Sequence, residues 1–370
     1  MKKYGIGIIV LLIISFVIAY PGHRVTLDEL EKRAVWLSYL ELSSFDYQSQ
    51  KAFEKDFKDV IETVKKSKGN TVIVHVRPFQ DALYTSKYYP VSEYITDRQT
   101  LSFDPLKVMI DMAHKDNIKL EAWINPYRVS NNQRSYSLFE KNSPYGLWLN
   151  DSRYTIHCGK NEYILNPHSQ DVRDYIVAGV KEIVDRYDVD GIHFDDYFYV
   201  TGSHKNTTKE SRLQDVNLLI KDVYQTIKKS NPKVVFGISP QGNYENCMNS
   251  GADIDTWLSQ EGYIDYLMPQ VYWSNQYGED GKTELFTQRV KQYASLKKRK
   301  EIKLYVGLAL YHAGEDLPYD QGWKKSTNNL SSQVQILYEE GYQGYSFFNY
   351  QAMKSQAGQK ELDNLLSEHQ

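Results

Sequence analysis

The chain has 370 residues, with 44 Lys and Arg against 47 Asp and Glu, and a formal net charge of −3. This length is enough for one large domain or two ordinary ones, with chain to spare for loops around a site. The charge balance gives no reason to expect a nucleic-acid partner, because the longest basic run, residues 297–300, is typical of a solvated helix end.

The chain begins with a segment typical of an export signal. Met1, Lys2 and Lys3 precede an apolar run over residues 4–20, which is a positive region followed by a hydrophobic one. The run is also nearly long enough to span a bilayer if it is not cleaved. We therefore expect residues 1–20 to be a signal peptide or membrane anchor. The protein would then be extracellular or held at the cell surface, and would meet a membrane only through this segment.

After this segment, apolar runs alternate with amphipathic stretches. Near-continuous runs of Val, Ile, Leu and aromatic residues are typical of parallel strands buried on both faces. The predicted strands are 33–39, 70–78, 119–128, 190–199, 233–243, 264–273, 302–312 and 344–352, and the predicted helices are 51–66, 104–116, 169–187, 209–229, 285–300, 328–340 and 358–368. This alternation, with no linker to divide it, predicts a single α/β domain, a (β/α)8 TIM barrel over residues 30–370.

An open doubly wound sheet is the alternative, but the first strand is not followed by a glycine-rich phosphate turn. The spacing of the strands is uneven. Residues 129–189 separate the third and fourth predicted strands, and the helix 169–187 fills only part of that distance. The remaining residues of this interval predict a long loop segment, here called the excursion, at the carboxyl ends of the strands, where barrel enzymes form their active sites.

Polar and aromatic residues follow almost every predicted strand. In a barrel these positions share one face, where aromatic rings can stack on sugars and amide or guanidinium groups can bind hydroxyls. The residues expected to position a sugar are Arg77, Asp81, Asn125, Tyr127, Asn166, His193, Gln270, Tyr272 and Trp273. Two of them have structural alternatives, since Arg77 could belong to an ion pair and His193 could be a core residue.

The sequence DGIHFDDYFY places Asp195 and Asp196 together at the end of the fourth predicted strand. Alternation along a strand sends their side chains to opposite faces. A carboxyl in a crowded apolar rim beside another carboxyl has a raised pKa, which suits a general acid near neutral pH. We expect this pair to supply acid and electrostatic catalysis, and which aspartate has which role stays open. The candidates for a second catalytic carboxylate are, in order of preference, Glu245, Asp81 and Glu315.

Seven motifs occur in order between residues 33 and 352: RAVWL, VRPFQDALY, AWINPYR, LNP followed by VRDYI, VDGIHFDDYFY, GISPQGN and DYLMPQVYW. Together they resemble the bacterial glycosyl-hydrolase-10-like family. The resemblance implies an exported (β/α)8 barrel with glycoside hydrolase activity on cell-wall or related bacterial glycans. Peptidoglycan glycan strands are the favoured substrate.

The fourth strand also resembles that of chitinase-type barrels, whose pattern is Asp-Gly-x-Asp-x-Asp-x-Glu. Asp190, Gly191 and Asp195 fit this pattern. His193 replaces an aspartate, and Tyr197 stands where the acidic glutamate would be. Catalysis by that glutamate is therefore excluded, although an N-acetyl group of the substrate could still act with the support of one of the two aspartates.

Two other functions compete with a hydrolase of polysaccharides or oligosaccharides. A glycan-binding barrel without turnover would need the same aromatic residues. A metal-dependent hydrolase could use His193, Asp195 and Asp196 as ligands, but such barrels normally carry a His-x-His pair on the first strand, and VWLSY has none. We expect no metal or organic cofactor and a monomer. Whether Cys158 and Cys247 pair stays open.

Overall fold

The computed structural model describes residues 23–95, 101–130, 146–160 and 162–370. The predicted signal or anchor, residues 1–20, lies outside the described residues. Within the described ranges, no helix is both long enough and apolar enough to cross a membrane.

Parallel strands form a closed barrel at the centre of the molecule. The strands in chain order are β1 (Lys32–Leu37), β2 (Thr71–Arg77), β3 (Lys119–Ile124), β4 (Arg128–Ser130), β5 (Thr155–His157), β6 (Tyr163–Leu165), β7 (Gly191–Phe194), β8 (Val235–Ile238), β9 (Tyr266–Leu267), β10 (Lys303–Leu304), β11 (Val306–Leu308) and β12 (Gly344–Phe347). The barrel sheet has the order β10-β9-β8-β7-β3-β2-β1-β12-β11.

Two of these segments, β10 and β11, are parts of one strand that is interrupted at Tyr305. The first part pairs with β9 and the second with β12, which in turn pairs with β1. The nine segments therefore make eight parallel strands in a ring. The predicted (β/α)8 barrel is confirmed.

The predicted helices surround this sheet. They are Gln50–Lys66, Pro105–Lys115, Gln170–Arg186, Lys209–Ser230, Leu285–Ala294, Asn329–Glu339 and Gln356–Glu368. Shorter helices are Tyr39–Leu42, Tyr244–Asn249, Ile254–Ser259, Gly322–Lys325 and Tyr350–Lys354. Several long helices begin at a side-chain cap, for example where the hydroxyl of Ser169 accepts a hydrogen bond from the backbone N–H of Val172.

The sheet separates two cores. The larger one lies between the strands and the helices, and the smaller one fills the inside of the barrel with Ala34, Trp36, Ile73, Trp123, Tyr266, Met268 and Tyr305. Glycine at 237 makes the inner packing possible, since a Cβ there would lie 1.9 Å from the ring of Tyr266. Large side chains inside the barrel thus form a floor beneath the strand ends.

The predicted excursion is present between β3 and the helix Gln170–Arg186. Its described part contains a small antiparallel sheet in the order β4-β6-β5. Residues 131–145 and 161 of the excursion lie outside the described residues. Cys158, on this excursion, and Cys247 are both free thiols. Burial raises the pKa of each thiol to about 12.

Candidate active site

A cavity of about 280 Å³ opens at the carboxyl ends of the barrel strands. We call it the central cavity, and it is lined by Trp36, Ser38, Tyr39, Leu40, His75, Trp123, Arg128, Asp195, Asp196, Tyr197, Ser239, Gln270, Tyr272, Phe348 and Asn349. These residues come from strands all around the ring, as in barrel enzymes.

A second space of about 640 Å³ lies beside the central cavity. We call it the side cavity, and its lining is Glu162, Asp196, Tyr197, Tyr199, Val200, Thr201, His204, Arg212, Gln241, Asn246, Asn249 and Ser250. The two cavities share Asp196 and Tyr197, so these two residues lie between adjoining spaces at the strand ends.

Asp195 follows β7 and is a buried carboxyl, 7% exposed. Its Oδ2 accepts a hydrogen bond from Trp123 Nε1 at 3.2 Å, and its Oδ1 accepts one from the backbone N–H of Tyr197 at 3.1 Å. Burial, and then the charge of Asp196, raises the pKa of Asp195 to about 7 against the opposing effects of the N–H donors and Arg128. This carboxyl can therefore hold a proton close to neutral pH.

Asp196 lines both cavities. Its Oδ1 accepts a long hydrogen bond, 3.5 Å, from Gln270 Nε2, which also donates to the backbone oxygen of Ser239 at 2.8 Å. Burial raises the pKa of Asp196 as well. Two neighbouring carboxyls with raised pKa values retain a proton between them where isolated aspartates would both be charged.

Residues at the floor of the central cavity position Trp123, which donates a hydrogen bond to Asp195. The indole of Trp123 stacks on His75 with 3.6 Å between ring centroids. Asn125 Oδ1 lies 3.1 Å from both Trp123 Nε1 and His75 Nε2. Asn125 was predicted to bind sugar, and it lies below the cavity lining instead, where it positions the tryptophan.

His193 also lies below the lining and is fully buried. Its Nδ1 is 2.7 Å from the hydroxyl of Tyr266, and its Nε2 is 2.9 Å from Ser239 Oγ. Burial holds the pKa of His193 well below its usual range, so the imidazole is neutral. The structural alternative raised for this residue from the sequence matches its place in the barrel interior.

Aromatic rings also border the central cavity, among them Tyr272 and Phe348. Tyr272 packs edge-on against Tyr311 and tilted against Phe348, with centroid distances of 5.6 and 5.8 Å. Tyr311 remains 36% exposed and Leu40 60% exposed. Partly exposed rings beside a polar cavity are suited to stacking on sugar faces.

Arg77 was expected at the site and points away from it. The pairing of β2 with β3 shifts register between His75 and Arg77. An extra residue in a strand reverses the alternation of side chains. The Arg77 guanidinium consequently lies outside the barrel, 3.7 Å from the ring centroid of Tyr89.

Most of the other predicted residues also lie outside both linings. Gln270 and Tyr272 line the central cavity with the two aspartates, whereas Asp81, Tyr127, Asn166, Trp273 and Glu245 line neither cavity. Asn166 supports a turn by donating to the backbone oxygens of Ser152 and Arg153. Glu245 is exposed on the helix Tyr244–Asn249, so the structure does not bring it to the aspartate pair. Glu315 is bound to His312.

The structure adds residues that sequence reasoning missed. Three of them lie inside predicted strands, namely Trp36, His75 and Trp123. Because side chains alternate along a strand, counting back from the strand ends would have placed these three toward the barrel interior. Glu162 has no such signal, because it comes from the excursion, where the Tyr197 hydroxyl donates to its Oε1 at 2.6 Å. Within the described ranges, no group of three or more His, Cys, Asp or Glu residues could hold a metal ion.

The model of the family described as glycosyl hydrolase-like 10 matches residues 31–325. Glycosyl hydrolase YngK of Bacillus subtilis (strain 168) is 31% identical over 85% of this chain and 67% of its own length. Glycosyl hydrolase DigH of Escherichia coli (strain K12) is 32% identical over 72% of this chain and 67% of its own length.

Solved structures of glycoside hydrolases have a similar fold. The glycoside hydrolase domain of PgaB (BpsB) from Bordetella bronchiseptica aligns with a TM-score of 0.57 at 10% identity, covering 90% of this chain and 98% of that one. An α-amylase from Geobacillus thermoleovorans, complexed with acarbose, aligns with a TM-score of 0.56 at 12% identity, covering 93% and 78%. At such low identity these alignments report the shared barrel fold.

Proposed function

We propose that this chain, which belongs to the glycosyl hydrolase-like 10 family, is a glycoside hydrolase that cleaves a bacterial cell-wall polysaccharide. Peptidoglycan glycan strands are the favoured substrate. The observation that carries the proposal is the pair Asp195 and Asp196, a buried and a partly buried carboxyl with raised pKa values that both line the central cavity. Glycosidic bonds are cleaved by such carboxyls.

The two aspartates differ in position, and this supports different roles. Asp196 lies where the central and side cavities meet, so a bond between sugars in the two cavities would pass beside it. Asp195 lines only the central cavity, where it would face the sugar whose bond is broken. We therefore assign the acid that protonates the leaving oxygen to Asp196 and the charge-stabilising carboxylate to Asp195.

The lining of the central cavity has no further carboxylate in the described part of the chain. Glycosidases that lack an opposed carboxylate can use the substrate's own 2-acetamido oxygen as the nucleophile. Asp195 would then accept a hydrogen bond from the acetamido N–H while that oxygen attacks the anomeric carbon. Cell-wall glycans built from N-acetylated sugars meet this requirement, and α-glucans do not. Such glycans lie outside the cytoplasm, in agreement with the export segment expected at residues 1–20.

Glycan cleavage by the purified protein tests the proposal. We would supply peptide-free peptidoglycan strands, chitin oligosaccharides and an α-glucan, and detect products by mass spectrometry. Asp195→Asn and Asp196→Asn should each lower the rate on the cleaved glycan by about a hundredfold or more, as expected for loss of a positioned acid or charge. Asp111→Asn, which alters an exposed aspartate paired with Lys107, is the matched control.

The outcomes separate the two functions that the site could serve. Cleavage of an N-acetylated glycan that both variants abolish, with circular dichroism unchanged, supports the hydrolase. Binding of the same glycan without products, unaffected by either substitution, would replace it with the glycan-binding barrel. Cleavage of the α-glucan at an equal rate would contradict the role of the acetamido group.

A further inference from the structure

The side cavity contains a buried arginine whose charge is not paired. Arg212 lies on the helix Lys209–Ser230 and is 7% exposed. Its Nε donates to the backbone oxygen of Asn249 at 2.7 Å, and its Nη1 donates to the backbone oxygen and Oγ1 of Thr207 at 3.3 and 3.0 Å. Its Nη2 has no hydrogen-bond partner among the described residues, and none of their carboxylates forms an ion pair with the guanidinium.

A buried guanidinium normally lies against a carboxylate, because an unpaired charge is costly in a site shielded from water. The buried carboxylate on the same helix, Asp215, is already bound by Tyr199 and His168. The Tyr199 hydroxyl donates to Asp215 at 2.8 Å, and His168 Nδ1 lies 3.0 Å from it. Arg212 is therefore left to face the cavity that it lines.

The neighbouring side chains are suited to a negatively charged group. His204 lines the same cavity, and its ring Nε2 is buried without a partner in the described part of the chain. Amide side chains of Asn246 and Asn249 also line the cavity and could bind hydroxyls. Glu162 is a carboxylate in this lining, but it belongs to the excursion and accepts a hydrogen bond from the Tyr197 hydroxyl.

We propose that the side cavity is a sugar subsite in which Arg212 binds a carboxylate carried by the glycan. The proposal rests on the proposed function, since it places this sugar next to the one in the central cavity across Asp196. Two sources supply such a carboxylate: the O-lactyl group of a muramic acid in peptide-free strands, and the carboxyl of a hexuronic acid. Both would accept charge-assisted hydrogen bonds from Nη2.

Changing the substrate tests this without altering the protein. Peptide-free peptidoglycan strands would be compared with the same strands after reduction of the lactyl carboxyl to an alcohol, which removes the charge and leaves the backbone intact. A charge-assisted contact should make kcat/KM about tenfold to a hundredfold higher for the native strands. Hyaluronan oligosaccharides, which carry glucuronic acid, form the second arm, and a preference for them would assign the carboxylate to a uronic acid.

Variants then connect the discrimination to Arg212. Arg212→Gln should reduce the ratio of native to reduced strands to about one, chiefly by raising KM for the native strands. Arg173→Gln is the matched control, because Arg173 is also 7% exposed and donates to the backbone oxygens of Pro167 and His168, yet lines neither cavity. It should leave the ratio unchanged.

Each result decides one of the two proposals. Equal kcat/KM for native and reduced strands in the unaltered protein, with no preference for hyaluronan oligosaccharides, would overturn the anionic subsite and leave the hydrolase standing. A ratio that persists in Arg212→Gln would also overturn it. If no N-acetylated or uronic glycan is cleaved, the proposed function itself fails.

Discussion

Each end of the barrel contains a buried carboxyl. At the amino ends of the strands this carboxyl is ion-paired, and at the carboxyl ends it is not. At the amino ends of the strands, Glu121 accepts from Lys32 Nζ and from the Tyr266 hydroxyl, both at 2.5 Å. Lys32 also lies 3.9 Å above the Tyr266 ring centroid. At the carboxyl ends, Asp195 and Asp196 have N–H and amide partners but, among the described residues, no ion pair within 4 Å, and the charge of Arg128 only partly opposes the rise of their pKa values.

A cavity alone does not distinguish the two ends. The amino end has a pocket of about 410 Å³ lined by Lys32, Glu121 and other charged residues. Its buried acid is already neutralised by a lysine, which suits a structural role. The acids at the other end are left with raised pKa values, which suits proton transfer. Pairing of charge, rather than pocket size, therefore distinguishes the end that is suited to proton transfer.

Breaking the ion pair should give the largest change in stability. Lys32→Met leaves Glu121 buried without its cation and should lower the free energy of unfolding by about 3–5 kcal/mol. Urea denaturation measures this. Lys303→Met is the control at the same end, because Lys303 and Glu31 form a half-exposed pair whose loss should cost less than about 1 kcal/mol. Equal losses in the two variants would remove the contrast between the ends.

Removing a carboxyl from the site should instead raise the free energy of unfolding. The pKa of Asp195 is raised from 3.8 to about 7 in the folded state, so the folded protein binds more protons than the unfolded chain between these values. Stability is then lost as pH rises through this window, and Asp195→Asn should recover up to about 4 kcal/mol near pH 8 and almost nothing near pH 3. Urea titrations at both pH values test this, and a variant less stable than the parent near pH 8 would contradict it.

The same proton should control the rate. If the aspartate pair must hold one proton to act, kcat should fall about tenfold per pH unit above the pKa of about 7. A pH–rate profile on the cleaved glycan measures this. A profile that stays flat to about pH 9 would show that the aspartate pair does not donate the proton.

The smallest effect is expected at Glu245. This residue is exposed and lines neither cavity, so Glu245→Gln should change kcat/KM by less than about twofold. A loss as large as that of the aspartate variants would restore Glu245 as the second catalytic carboxylate. The comparison needs only the substrate that the parent protein cleaves.

The fold could be predicted because it repeats one local pattern. Each strand is a buried apolar run and each helix an amphipathic one, and alternation of the two has few compact solutions. The positions of Asp195 and Asp196 followed from the same logic, since they come directly after a strand. A register shift leaves no comparable pattern in the amino-acid sequence. The shift after His75 therefore could not be predicted, and it places Arg77 on the outside of the barrel.

The remaining parts of the cleft depend on tertiary contacts. Asn125 ends a strand as predicted, yet His75 and Trp123 draw it below the cavity lining. The side cavity combines Glu162 from the excursion, Arg212 from a helix and Asn249 from another helix. Residues so far apart in sequence meet only once the barrel has closed, so periodicity could not group them.

The excursion between β3 and the helix Gln170–Arg186 supplies Arg128 to the central cavity and Glu162 to the side cavity. It forms its own small sheet, and none of its three strands pairs with the barrel. We therefore expect it to be an exchangeable module. Replacing it should change which glycan the protein prefers, while the eight-stranded ring keeps the aspartate pair in place.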